Sequence, residues 1–316
     1  MAKRPQLRLG TRGSQLALAQ AHEVRRRLAV AHPALADEAA VEIVVIKTTG
    51  DRIQDRRLAE IGGKGLFTKE IDEALSAGEV DAAVHSMKDV PTWLPDDQVL
   101  GPILPREDPR DAFFCNTADS LAALPAGAVV GTSSLRRQAQ VLLARPDLKV
   151  ESIRGNVDTR LRKLGEGQVD ATLLAVAGLK RLGLEDRITA AMDTAEMLPA
   201  VAQGAIGLAL RRDDSETNDW LQPLDDPESS RRVAAERACL EVLDGSCRTP
   251  IAAYAEVEAG GTLWLRALIA MPDGSDAHRA ETRGPLAEAE ALGRAVGTRL
   301  REDAGPAFFA ALEHAG

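Results

Sequence analysis

An ordered pair of segments occurs twice in this chain, and that duplication constrains the fold more than any other feature. Leu7-Arg8-Leu9 runs into Gly10-Thr11 and a helical pattern from Ser14 to about Val30; Ala128-Val129-Val130 runs into Gly131-Thr132 and a helical pattern from Leu135 to Ala144. Further along each half, Gly78-Glu79-Val80-Asp81-Ala82-Ala83-Val84 is echoed by Gly167-Gln168-Val169-Asp170-Ala171-Thr172-Leu173. Short apolar runs alternating with amphipathic stretches form the βαβ rhythm of a largely parallel sheet. The shared order favours two duplicated α/β lobes over coincidence. Two such lobes facing each other place the carboxyl ends of their strands around a common cleft, where open sheets bind ligands.

The same reading expects strands at Val41 to Ile46 and Val150 to Ile153. It expects helices from about Leu66 to Ser76 and from Val157 to Leu164, the latter behind an Asn156 N-cap. Ala200 to Leu210 reads as a hinge plus a strand that returns to the first lobe. From Glu228 the character changes: one amphipathic helix to Leu243, hairpin strands Ile251 to Glu258 and Thr262 to Ala270 joined through Gly260-Gly261, a third strand near Ala277 to Thr282, and a helix from about Leu286 to Arg301. The expected organisation is a discontinuous first lobe (1–104 plus 205–224), a second lobe (105–204) and a small α+β domain (225–316), within the two to three domains that 316 residues suggest.

Composition narrows the function. With 39 Lys plus Arg against 48 Asp plus Glu, the net charge of −9 argues against a dedicated nucleic-acid or anionic-membrane binder. Only 3% of residues are aromatic, too few for a stacking platform. No apolar run reaches the ~20 residues of a membrane span, and no secretory signal is expected at the start. Cys115, Cys239 and Cys247 make no disulfide framework and no C-x-x-C pair, which suits free thiols in the cytoplasm. The five histidines have no ligand spacing, so no metal site is expected.

In an acidic chain, clustered cations stand out. Gly131-Thr132-Ser133-Ser134-Leu135-Arg136-Arg137 sets three hydroxyls and two guanidiniums at a strand-to-helix turn, where free N–H groups and the helix dipole favour an anion. The plainer reading is a Ser N-cap followed by solvated arginines. Thr11-Arg12-Gly13-Ser14 repeats the arrangement in the first lobe, and Arg154 and Arg160 add cations after another strand end. Together they outline a site for a polyanion. His85-Ser86-Met87-Lys88-Asp89-Val90-Pro91 follows a strand and supplies either a cation and a carboxylate to that site or a local ion pair. Gly62-Gly63-Lys64-Gly65 is not a phosphate loop, because Leu58 and Gly65 stand where such a loop needs Gly and Ser or Thr. The stretch Thr49 to Gly65 reads equally as a lid or a plain loop. Cys247 lies in a loop beside Arg248, which could favour its thiolate, whereas Cys239 and Cys115 read as packed residues.

Beyond these local readings, the chain resembles the porphobilinogen deaminase (hydroxymethylbilane synthase) family over essentially its whole length. The resemblance is carried by Arg12-x-Ser14, Gly62 to Phe67, His85 to Pro91, Arg106 to Ala112, Gly131 to Gln138, Arg154-Gly155-Asn156, Leu174 to Gly183 and Cys247. It implies two periplasmic-binding-protein-like lobes with mixed, mainly parallel sheets plus an α+β domain, and a dipyrromethane cofactor held as a thioether on Cys247. The implied reaction joins four porphobilinogens head to tail, releasing ammonia each time, and hydrolyses off linear hydroxymethylbilane. Asp89 would stabilise positive charge on pyrrole nitrogen and assist proton transfer. Arg12, Lys88, Arg136, Arg137, Arg154, Arg160 and Arg181 match the family's cations, which meet acetate and propionate groups; Ser14, Thr132, Ser133, Ser134 and Gln203 match its neutral hydrogen-bonding positions. A cytoplasmic monomer feeding a uroporphyrinogen-forming enzyme is implied, with neither nucleic acid nor membrane as partner. This chain departs from the pattern at Glu60, where many relatives have Lys, and at Arg248-Thr249, where Gln-Val is common. The rival is a non-catalytic two-lobed anion-binding protein, which leaves Cys247 and Asp89 without a task.

Overall fold

The computed structural model describes residues 6–52, 65–243 and 249–315. Along the first part run β1 (Leu7–Arg12), α1 (Gln15–Ala31), β2 (Val41–Ile46), the single turn α2 (Thr49–Arg52), α3 (Lys69–Ser76), β3 (Ala82–Ser86) and β4 (Gln98–Ile103). Next come β5 (Asp111–Cys115), β6 (Val129–Gly131), α4 (Leu135–Ala144), β7 (Lys149–Glu151), α5 (Val157–Gly165), β8 (Ala171–Ala175), α6 (Val176–Arg181) and β9 (Ala190–Ala191). The chain continues through β10 (Ile206–Arg211), α7 (Ser215–Leu221), α8 (Pro227–Val242), β11 (Ile251–Glu258), β12 (Thr262–Ala270), β13 (Ala277–Pro285) and α9 (Ala289–Ala315), which breaks at Gly305-Pro306.

Two compact units result. Among the described residues, the first holds 6–52, 65–107 and 205–230, and the second holds 108–204, 231–243 and 249–315. The first unit carries a sheet in the order β2-β1-β3-β10-β4 and the second a sheet in the order β7-β6-β8-β5-β9. In each, the first three strands are parallel and the fourth is antiparallel to both neighbours. The duplication read from the sequence is therefore a duplication of topology, and the fold is the expected mixed α/β class. In each sheet the antiparallel strand is the one nearest the crossing between units, β10 returning to the first sheet and β5 opening the second.

The repeated motif explains itself in atomic detail. Gly78 and Gly167 both take left-handed φ, at 70° and 71°, ending a helix where a Cβ would be strained. The repeated Asp then closes the strand pair: Asp81 accepts the backbone N–H of Arg8 at 2.8 Å, and Asp170 accepts that of Val129 at 2.7 Å. Strand alternation divides each core. Leu7, Leu9, Val84 and Leu208 face α1, while Val80, Ala83 and Ala209 pack with Ile71 and Leu75 of α3. In the second sheet Phe113, Val130 and Leu173 pack with Val141 of α4, and Ala112, Phe114 and Leu174 with Leu161 and Leu164 of α5. Each fully buried Leu stabilises by about 1.5–3 kcal/mol.

Elsewhere the structure departs from the sequence reading. Helix α3 starts at Lys69 rather than Leu66, because the N–H groups of Thr68 and Lys69 both bond to Gly65 O in a turn. The strand β4 escapes periodicity because Gly101 and Pro102 interrupt it; its edge position tolerates the Pro. Cys115, expected to be packed, is half-exposed at the end of β5, with its Sγ accepting the Thr117 N–H at 3.4 Å. Cys239 is fully buried, as expected. The three-stranded sheet β11-β12-β13 and α9 join the second unit, where Gln138 donates to Pro272 O at 3.0 Å and Arg266 to Thr194 at 3.1 Å. Among the described residues no helix is long and apolar enough to cross a membrane, and no cluster could hold a metal ion.

On α3, Asp72 is a buried carboxyl whose Oδ1 has no hydrogen-bond partner. Burial raises its pKa to about 6; Thr68 opposes this and the charges of Glu73 and Asp97 add to it. The folded state thus holds a proton that the unfolded chain, with an ordinary value of about 3.9, has already released. Stability accordingly falls as pH rises from about 4 to about 6 and stays lower above. Asp72→Asn should melt higher than the parent near pH 7, with the advantage gone below about pH 4. Thermal melts at both pH values check this; an Asn variant that melts no higher at neutral pH contradicts it.

Candidate functional site

The expected site residues fall into one cluster in each unit. In the first unit Ser14 ends the β1 loop and caps α1, its Oγ accepting the Ala17 N–H at 3.2 Å. Arg12, the last residue of β1, stacks its guanidinium 4.2 Å above the Phe67 ring, a cation–π geometry. Its Nη1 also lies 3.9 Å from Asp89 Oδ2, with the two side chains 23% and 31% exposed. Lys88 and Asp89 sit on a 3-10 turn just past β3, at its carboxyl end. That turn is anchored by Met87, 1% exposed, whose N–H bonds to Ala205 O at 3.0 Å. Gly207 on β10 is required beneath it, since a Cβ there would come 2.2 Å from Met87 Sδ. Parallel β1 and β3 are sheet neighbours, so Arg12, ending β1, and Asp89, just past β3, meet at the carboxyl ends of adjacent strands.

The second cluster surrounds the N-terminus of α4. Ser134 caps that helix, accepting the Arg137 N–H at 3.4 Å, and Thr132, 1% exposed, holds the loop by accepting the Ser134 N–H at 3.1 Å. Ser133 accepts from Arg160 Nη2 at 3.5 Å. Arg160 Nε donates to Gly155 O at 3.0 Å, and Asn156 caps α5 as expected, accepting the Thr159 N–H at 2.9 Å. Burial first, then the charges of Arg137 and Arg154, push the Arg160 pKa down to about 10. Arg160 thus feels the charges of both Arg137 and Arg154.

Arg136 and Arg137 are not solvated arginines. Their side chains are 6% and 7% exposed, and both pair with Asp111, which is wholly buried at the start of β5. Arg136 Nη1 lies 2.7 Å from Asp111 Oδ2, and Arg137 Nη2 lies 2.6 Å from Oδ1. Burial alone would raise the Asp111 pKa; the charges and hydrogen bonds of the two arginines outweigh it and hold the carboxyl well below the usual range. Arg137 also donates to Leu173 O at 2.9 Å and Arg136 to Leu198 O at 2.8 Å. Gln203, 1% exposed, donates from Nε2 to Pro109 O at 2.7 Å and to Asp111 Oδ1 at 3.0 Å. Arg181 Nη2 reaches Gly204 O at 2.9 Å.

Asp111 and Phe67 were not singled out from the sequence, although both lie within quoted motifs. Asp111 had a readable sign: a charge flush against the apolar Ala112-Phe113-Phe114. Phe67 had none beyond its rarity. Cys247, Arg248, Glu60 and Gly62-Gly63-Lys64 lie outside the described residues, as does most of the stretch read as a lid.

The second cluster fits a ligand with several carboxylates. Arg136 Nε is fully shielded from solvent yet has no hydrogen-bond partner, and Arg160 is disfavoured by the positive charges of Arg137 and Arg154. A polyanion supplies acceptors and relieves that repulsion.

Comparison with known proteins agrees with this chemistry. Residues 7–219 match the family model described as porphobilinogen deaminase, dipyromethane cofactor binding domain, and residues 230–302 match the porphobilinogen deaminase C-terminal domain. The chain is 57% identical to a chloroplastic porphobilinogen deaminase of Oryza sativa subsp. japonica, covering 99% of this chain and 88% of that protein. It is 55% identical to the porphobilinogen deaminase of Paracoccus denitrificans, covering 96% of each. Among solved structures, an ABC transporter periplasmic substrate-binding protein from Coxiella burnetii is 17% identical, with a TM-score of 0.42 over 73% of this chain and 96% of that one. By both domain models and these identities, the chain belongs to the porphobilinogen deaminase family.

Proposed function

We infer that this protein is a hydroxymethylbilane synthase: it condenses four porphobilinogens head to tail, releases one ammonia per addition, and frees the linear product by hydrolysis. The observation that carries this reading is the buried Arg136–Arg137 pair on Asp111 with half-buried Arg154 and Arg160, in a chain whose family is defined by a dipyrromethane-binding domain. Acetate and propionate groups make porphobilinogen and its oligomers polyanions, and the cluster supplies the complementary charge. A receptor without catalysis accounts for the arginines, Arg12 included, but leaves Asp89 without a task.

Arg136, Arg154 and Arg160 would hold the carboxylates of dipyrromethane, with Arg137 beside them on Asp111 and Ser133 beside Arg160 as a neutral contact. When bound, that group supplies the free pyrrole α-carbon at which the chain is extended. Asp89 holds a carboxylate beside incoming porphobilinogen and stabilises the positive charge that develops on its pyrrole nitrogen as ammonia leaves. Arg12, 3.9 Å from Asp89 and stacked on Phe67, orients that carboxylate and brings its positive charge to a substrate carboxylate. Lys88, on the same turn as Asp89, adds a second cation. Ser14, Thr132, Ser134, Arg181 and Gln203 support the clusters through the caps and backbone contacts described above. The proposal extends to a cytoplasmic monomer whose product passes to a uroporphyrinogen-forming enzyme.

Cys247 is proposed as the attachment point, by the family resemblance of its segment. Cys239 is poorly suited, because burial, reinforced by the charge of Glu236, pushes its thiol up to about 12. Intact mass of the purified protein should show two covalent pyrrole units. Cys247→Ser should fold yet lose both the adduct and activity, melting below the loaded parent because a ligand of the folded state is gone, and Cys115→Ser and Cys239→Ser should retain the adduct. An adduct mapped to a peptide without Cys247 overturns the assignment.

At Asp89, Asn keeps the size and removes the charge. Turnover of loaded Asp89→Asn should fall by ~10²–10³, since stabilisation aimed at developing charge is commonly worth ~3–4 kcal/mol. Asp89→Glu should retain more, limited by misplacement. Single-turnover elongation, with each pyrrole addition resolved by mass, measures this on protein of known cofactor content. Parental elongation by the Asn variant would remove Asp89 from the chemistry.

A further inference from the structure

We propose that Asp111 is the positioning residue of the arginine cluster, dividing Arg136 and Arg137 between its two oxygens so that Arg136 becomes the ligand arm and Arg137 the anchor. The proposal rests on the function inferred above.

Successive residues of a helix leave its axis about 100° apart, so adjacent arginines do not converge without a reason. Here each guanidinium takes its own carboxylate oxygen. Oδ1 accepts Arg137 Nη2 at 2.6 Å, Arg137 Nε at 3.1 Å and Gln203 Nε2 at 3.0 Å, while Oδ2 lies 2.7 Å from Arg136 Nη1. The outcome for the two arginines is unequal. All three nitrogens of Arg137 already donate to Asp111 or to Leu173 O. Arg136 meets Asp111 and Leu198 O through Nη1 alone, and its buried Nε has no partner.

The charge balance points the same way. One carboxylate between two guanidiniums leaves a net positive charge in a place sealed from water. Burial lowers the Arg136 pKa, the Asp111 charge opposes that, and the Arg137 charge adds to it. Asp111 therefore makes the pair tolerable without a ligand and still leaves it one charge short of neutrality. A second carboxylate, brought by a ligand, completes it. Asp111 also fixes where the pair stands relative to the backbone. Gln203 ties Asp111 Oδ1 to Pro109 O, and Gln140 grips Leu198 through both its N–H and its C=O, at 2.8 and 3.0 Å. The carbonyl that receives Arg136 is thus itself held.

The test compares Asp111→Glu and Asp111→Asn with the parent, each purified as the holoenzyme. Four quantities are read: melting temperature, the fraction carrying the two-pyrrole adduct, and kcat and KM for porphobilinogen per loaded molecule. Glu keeps the charge but shifts it by one methylene, about 1.5 Å. It should melt close to the parent and yet lose roughly tenfold or more in loading or in kcat/KM, the scale of one charge-assisted hydrogen bond. Asn should lose more, and Glu should rescue part of that loss. Parental loading and kcat/KM in the Glu variant overturn the proposal. So does a deficit that disappears once each variant is assayed equally far below its own melting temperature, because the carboxylate would then serve the fold alone. Failure of both variants to fold has the same meaning. If the parent itself carries no adduct and consumes no porphobilinogen, the inferred function falls and the proposal with it; a defect confined to the variants leaves the function standing.

Discussion

The buried carboxylate of Asp111 is the constraint on which the second unit turns. It begins β5, pairs two guanidiniums from the first turn of α4, and accepts from Gln203 on the segment leading back to β10. Through Arg137 it reaches β8 at Leu173 O, and through Arg136 it reaches Leu198 O. A strand start, a helix start, a neighbouring strand and a returning segment are thereby referred to one charge. Removing one member of such a set is costly because it leaves an uncompensated charge in a place without water.

The first unit solves a different problem. Its Arg12 and Asp89 are partly exposed and 3.9 Å apart, a looser arrangement than the 2.6 and 2.7 Å contacts of Asp111. Arg12 is restrained instead by stacking on Phe67, and Asp89 by a turn whose Met87 fits over Gly207. Under the function inferred above, rigid backbone with accessible side chains would suit groups that meet a changing substrate, and the more deeply buried arginines would suit a ligand that stays.

Glu236 shows how far such fastening extends. This wholly buried carboxylate on α8 accepts the N–H of Ala202 at 2.6 Å and that of Ala255 at 2.8 Å. Ala202 is the one non-glycine residue with positive φ among those described, at 57°. The returning segment is therefore held in a costly conformation by a charge-assisted bond, next to Gln203 and Gly204, which contact Asp111 and Arg181 respectively.

Much of this was legible from sequence because the responsible interactions are local. The duplicated Gly-x-Val-Asp-Ala segments, the Ser134 and Asn156 caps and the alternation of Leu7 and Leu9 depend on neighbours a few residues away or on one adjacent strand. The family motifs likewise named the cations and Asp89 without any coordinates. What sequence could not supply is which cations are already paired with a protein carboxylate. Asp111 is 25 residues from Arg136 and 26 from Arg137, and nothing in their spacing says that they meet. Their meeting depends on β5 lying antiparallel beside β8 at the end where α4 begins. The same holds for Arg12, Phe67 and Asp89, which periodicity places in three separate elements. Charge and hydrogen-bonding capacity are properties of the residue and can be read one at a time. Whether a charge is neutralised, sealed from water or left seeking a partner depends on groups distant in sequence, and only the tertiary structure decides it.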